Sequence, residues 1–176
     1  TRKRKIQILD GCRNILPACV TADFQNANSV LLDAYKKTDL IQQSALAVFS
    51  VTSIITDKAE PSEGLYANVA WFSGLDPVHL SPASPECFRT GRAIPDVSVV
   101  KGERPAMYTL ITLAENRSEA ERNWFQVFDT SLDHTRLMAL DKALRNRSEI
   151  VRDLEQDITA QCRLLDEYIA AADGDQ

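Results

Sequence analysis

The sequence predicts an α+β fold: kinked N-terminal helices, a small antiparallel sheet, and a long C-terminal helix or helix pair with a heptad seam. Three observations lead there. Apolar residues near both ends recur every three to four positions, the period of a buried helix face. The middle is dense in β-branched and aromatic side chains, which suit a pleated surface. Prolines and glycines gather between these blocks, where they punctuate regular structure. At 176 residues the chain fits one domain, the usual size being about 50–250 residues. Residues 1–37 are expected to be helical, 40–114 to hold the sheet, and 117–172 to form the helical C-terminus.

Each element has its own warrant. Ile8, Leu9, Cys12, Ile15 and Leu16 follow helical spacing, although Gly11 weakens that stretch. Pro17 lacks a backbone donor, so the helix kinks or restarts there. From Ala18 onward Cys19, Val20, Phe24, Ala27, Val30, Leu31 and Ala34 draw a second apolar face, closed by Lys36 and Lys37 at the negative end of the helix dipole. Ala45 to Thr56 reads as a strand, with a buried helix over 40–56 as the alternative. Residues 57–64 are turn material, and Leu65 to Phe72 forms a second extended run that pairs with the first as an antiparallel hairpin. Residues 73–95 form a loop holding four of the seven prolines; loops of such length are often functional. Val97 to Val100, a Lys101-Gly102 turn and Met107 to Leu113 suggest another hairpin. Ser118 and Glu121 have the spacing of a capping box, opening a helix through Trp124, Phe125 and Phe128 that anchors to the sheet. Asp133 and His134 start the next helix.

The clearest periodicity comes last. Leu137, Leu140, Leu144, Arg147, Val151, Leu154, Ile158, Gln161, Leu165 and Tyr168 alternate by three and four, and eight of these ten are apolar. This is a heptad seam. A single helix of about 40 residues would reach roughly 60 Å, so it either projects or breaks near Asn146-Arg147-Ser148 into two packed helices. Ala143, Ile150, Cys162, Leu164 and Ile169 widen the face beyond a two-stranded seam, which calls for more than one packing partner. Arg147 and Gln161 either set register or point outward where the stripe drifts; the second is preferred here.

Charge and composition exclude several functions. The net charge is −5, and residues 115–176 alone carry 8 basic and 14 acidic groups. Despite the basic start Arg2-Lys3-Arg4-Lys5, such a surface repels phosphate and disfavours nucleic acid. No run approaches the ~20 apolar residues of a membrane span, and no signal peptide is expected. The four cysteines are scattered, without a Cys-x-x-Cys pair, and only two histidines accompany them. No zinc set is expected. Cys12 and Cys19, seven apart, read as packing groups on one helix face. This usage points inside the cell, to the cytoplasm, and the two Asn-x-Ser tripeptides at Asn116 and Asn146 read as cap chemistry rather than glycosylation acceptors.

No Gly-x-Ser-x-Gly elbow, phosphate loop or Gly-x-Gly-x-x-Gly fingerprint is present. Cys87, with His79 upstream and Arg89 and Arg92 downstream, is the nearest approach to an activated nucleophile; Asp129 and Asp133 on one helix face are the nearest to paired carboxylates. Neither set is specific, so no catalytic residue, cofactor or metal is assigned. The expected function is a non-enzymatic assembly module, self-associating or docking on a protein partner through Leu137, Leu140, Leu144, Val151, Leu154, Ile158, Leu165 and Tyr168. The alternative is a small-molecule-sensing regulatory domain coupled to a helical signalling segment, with Tyr66, Trp71 and Phe72 as a pocket floor and the 73–95 loop as lid.

Overall fold

The computed structural model describes residues 5–52, 65–114 and 122–173. The chain opens on a strand. Strand β1 (Lys5–Arg13) pairs antiparallel along its whole length with β7 (Ala106–Ala114). The helix expected over Ile8–Leu16 is therefore corrected. Apolar residues spaced for a helix also serve a strand when a partner of matching length exists. Gly11 marks the choice: with φ +154°, it lies so close to the Met107 carbonyl oxygen that a Cβ would collide with it. Cys12 and Cys19 consequently share no helix face. Cys12 lies in β1, and Cys19 stands exposed in a turn with φ +65°.

The second apolar stretch is helical, in two short pieces, α1 (Ala22–Ala27) and α2 (Ser29–Tyr35). The Thr21 hydroxyl caps α1 by accepting from the Phe24 N–H at 3.2 Å. Lys36 ends α2 as expected, standing as its C-cap, and at the same time begins β2 (Lys36–Ile41) as a buried cation. Its ammonium donates to Gln25 and, at 2.7 Å, to Asp33, which also meets Arg104. Burial alone would raise the Asp33 carboxyl, but donors from Lys36, Arg104 and Gln25 outweigh it and hold the group below its ordinary range.

The strand reading of the middle holds. Strand β3 (Leu46–Val51) pairs antiparallel with both β2 and β4 (Ala67–Phe72); the expected turn between β3 and β4 lies outside the described residues. The 73–95 segment is not structureless. It contains the short β5 (Val78–His79) and helix α3 (Ser84–Arg89). Strands β6 (Val99–Lys101) and β7 both exist, yet they do not pair with each other: β6 joins β2, while β7 lies between β1 and β5.

Residues 126–132 also depart from expectation. They form strand β8 (Gln126–Leu132) on the edge of β4, with a bulge between Ala67 and Val69, where the Asn68 side chain accepts from the Ser131 N–H at 2.9 Å. No helix runs through Trp124, Phe125 and Phe128; the expected capping box lies outside the described residues. Asp129 is thus a strand residue, and Asp133 is the N-cap of helix α4 (His134–Leu144). Their shared helix face does not exist. After a turn at Arg145 and Asn146, helix α5 runs from Arg147 to Asp173, so the long helical stretch breaks where the sequence suggested.

The strands make two sheets, ordered β1-β7-β5 and β6-β2-β3-β4-β8. Alternation along β3 and β4 sorts the core. Ala47, Phe49, Ala70 and Phe72 meet Val78, Leu80 and Met107 between the sheets. Val51 continues that face beneath Val20 and Leu32. On the opposite face Leu46, Val69 and Trp71 meet Leu132 and Leu144, covered by α4 and the start of α5. The order is sheet, sheet, helices.

Candidate functional site

The C-terminal seam divides into two halves with different environments. In the first, Leu144 is buried, while Leu137, Leu140, Val151 and Leu154 pack at the rim of the core made by Leu46, Val69, Trp71 and Leu132. This half covers the five-stranded sheet of its own chain. In the second half Ile158, Leu165 and Tyr168 stand 38%, 58% and 64% exposed, and no core cluster includes them. Leu164 and Ile169 are exposed beside them. At 100° per residue, Ile158, Cys162, Leu164, Leu165, Tyr168 and Ile169 spread over roughly half the helix circumference.

Arg147 lies within the first half, and its place corrects the expectation that it points outward. It is buried at the first turn of α5. One terminal nitrogen donates to the Phe72 and Gly74 carbonyls, both at 2.7 Å, and the other to the Ser44 carbonyl. Its guanidinium carbon lies 5.7 Å from the centroid of the Trp71 ring, within cation–π range. A planar fork with several donors is suited to such a joint; a lysine is not. Burial lowers the guanidinium pKa from its ordinary high value. The result ties the β2–β3 turn and the end of β4 to the root of α5. Gln161, the other polar seam residue, is exposed.

Two neighbouring contacts fix the α4–α5 corner. Asp141 is buried and accepts from Arg145 at 2.7 Å. The adjacent Ser44 hydroxyl and Arg145 hold its carboxyl below the ordinary range, against the effect of burial. Ser44 makes only a long 3.4 Å bond to the Ile41 carbonyl, which leaves the hydroxyl free to turn toward the carboxylate. The Asn146 side chain donates to Glu149 at 2.7 Å, so Asn146 does serve the start of a helix; Asn116 lies outside the described residues.

The remaining candidates are dispersed. Trp71 and Phe72 alternate into two different cores and Tyr66 is exposed, so they make no common pocket floor. Trp124 packs on the inter-sheet core and donates to Asp10 at 2.7 Å, whereas Phe128 is exposed. Arg89, expected to favour a Cys87 thiolate, is engaged with Glu86 through three bonds of 2.8–3.0 Å. His79 and Arg92 line one cavity, and Cys87 is not among its walls. Among the described residues no group of three or more His, Cys, Asp or Glu is placed to hold a metal ion, and no helix is long and apolar enough to cross a membrane. Arg147 and the His79–Arg92 cavity are the features that sequence reasoning missed. A cation in an otherwise apolar seam was the available signal for the first; the second depends on a strand pairing that no local pattern announces. The chain matches no known family model and no curated protein.

Proposed function

We propose that the protein is a non-enzymatic assembly module that self-associates through the distal half of α5, with a second copy of the chain as the partner. The observation that carries this reading is the exposed continuation of the seam from Ile158 to Tyr168. Two copies of one helix placed in register fill a heptad seam reciprocally, each core residue entering the hole opposite. The breadth of the apolar arc suits a bundle with more than two helices as well as a pair. Around that arc Glu155, Asp157, Asp166 and Glu167 outnumber Arg163, which disfavours nucleic acid and anionic lipid as the covering surface. All four cysteines are free, in keeping with an intracellular setting.

Light scattering coupled to gel filtration tests the proposal. The wild type should run as an oligomer, and Ile158→Asp combined with Leu165→Asp should run as a folded monomer with an unchanged circular-dichroism melt at low concentration. A wild type that is monomeric throughout the micromolar range overturns self-association.

A further inference from the structure

The outer face of the three-stranded sheet carries a second feature, independent of α5. Register places Gly11, Tyr108 and His79 side by side in one row across β1, β7 and β5. Helix α3 and the chain up to Ile94 lie over this face and leave a cavity of about 330 Å³, lined by Gln7, His79, Phe88, Arg92, Ile94 and Leu110 among others. That is near the lower end of ligand cavities, which run from about 300 to 1,000 Å³. Its walls combine an aromatic and three aliphatic side chains with three polar ones. Both ring nitrogens of His79 are buried and without a hydrogen-bond partner among the described residues. Leaving a buried polar group unpaired is costly, so a polar ligand atom entering here removes a standing penalty. The Arg92 guanidinium bonds through Nε to the Thr90 hydroxyl at 3.0 Å, which leaves its terminal nitrogens to meet an incoming anion. Glu86, the acidic residue of α3, is engaged with Arg89 instead.

We propose that this cavity binds a small carboxylic acid with an apolar body. The carboxylate meets Arg92 at the mouth, where the planar fork matches two oxygens, and reaches a ring nitrogen of His79. Phe88, Ile94 and Leu110 enclose the body. The chain has only two histidines, His79 and His134, and His134 is exposed at the start of α4, so proton NMR of the imidazole C–H signals reads the site directly. Benzoate is the probe, benzamide its uncharged counterpart, and His134→Gln assigns the lines. Benzoate should move the His79 signal saturably in the millimolar range and leave His134 in place; benzamide should move neither. Arg92→Gln, at an exposed position, should weaken the benzoate response at least tenfold. An unmoved His79 signal, equal shifts of both histidines, an equal response to benzamide, or full binding by Arg92→Gln would each overturn the proposal.

Discussion

Arg147 occupies a position where the heptad pattern asks for an apolar residue, and the reason lies in what surrounds it. Three carbonyls, Ser44 from the β2–β3 turn and Phe72 and Gly74 from the end of β4 and the residues after it, converge on one guanidinium. Without it the buried bonds to the Ser44 and Phe72 carbonyls are lost. Arg147→Met keeps much of the side-chain length and removes the donors; urea unfolding should show a loss of about 3 kcal/mol. Arg147→Lys should recover only part, because a single ammonium does not reproduce the fork. A methionine variant as stable as the wild type would show that the clamp contributes nothing. Asp141 makes a prediction of a different kind. Its folded-state pKa lies below the unfolded one, so its charge stabilises the fold above the ordinary carboxylate range of about 4, and that contribution disappears as pH falls through the folded value. The stability difference between wild type and Asp141→Asn should therefore be flat near neutrality and shrink below about pH 4. A difference that widened on acidification would reverse the sign of the shift.

At the scale of elements, legibility followed the range of the interactions. The pairing of β3 with β4 was readable because β-branched and aromatic residues lie close in sequence on both sides of a stretch holding Pro61 and Gly64. The C-terminal helices were readable because a heptad repeats within the element itself, and the Asn146-Arg147 break falls where the stripe carries a cation. Strand β1 was not, since its partner β7 lies about a hundred residues away: Lys5 pairs with Ala114 and Arg13 with Ala106. Nothing local separates Ile8-Leu9-Cys12 on a strand from the same residues on a helix. Strand β8 escaped for the same reason, its extended form being supplied by β4 and by Asn68. The cavity at His79 inherits this difficulty, because α3 and β5 were hidden in a segment read as loop. Within α5 the two halves of one repeat should answer differently to the same substitution. Val151 packs against the sheet, so Val151→Asp buries an unpaired charge and should cost about 2–4 kcal/mol in urea unfolding. Leu165→Asp, at an exposed position, should change monomer stability by less than about 0.5 kcal/mol. Equal costs at the two sites would mean that the distal helix is covered by its own chain.

The molecule as a whole is a stack: the three-stranded sheet, the five-stranded sheet, then α4 with the root of α5. Each layer has a covered face, and the core clusters account for both faces of the central sheet. The helix that completes the stack continues past its last packed residue, Leu154, for about five further turns. Over that length its apolar side chains face water, at about 25 cal/mol for each Å² left wet. Most helical stability in proteins comes from packing of the apolar face, and over this stretch that support would have to come from the packed root or from a partner along the seam. A partner that binds only the folded state stabilises the fold by mass action, and that gives a global signature requiring no variant of the core. Thermal unfolding of the wild type should shift to higher temperature with protein concentration, each tenfold increase adding up to about 1.4 kcal/mol for a dimer. Ile158→Asp combined with Leu165→Asp should melt at one temperature across the same series, equal to the low-concentration limit of the wild type. A wild-type melt independent of concentration over three decades would leave the exposed seam without the partner that its spacing implies.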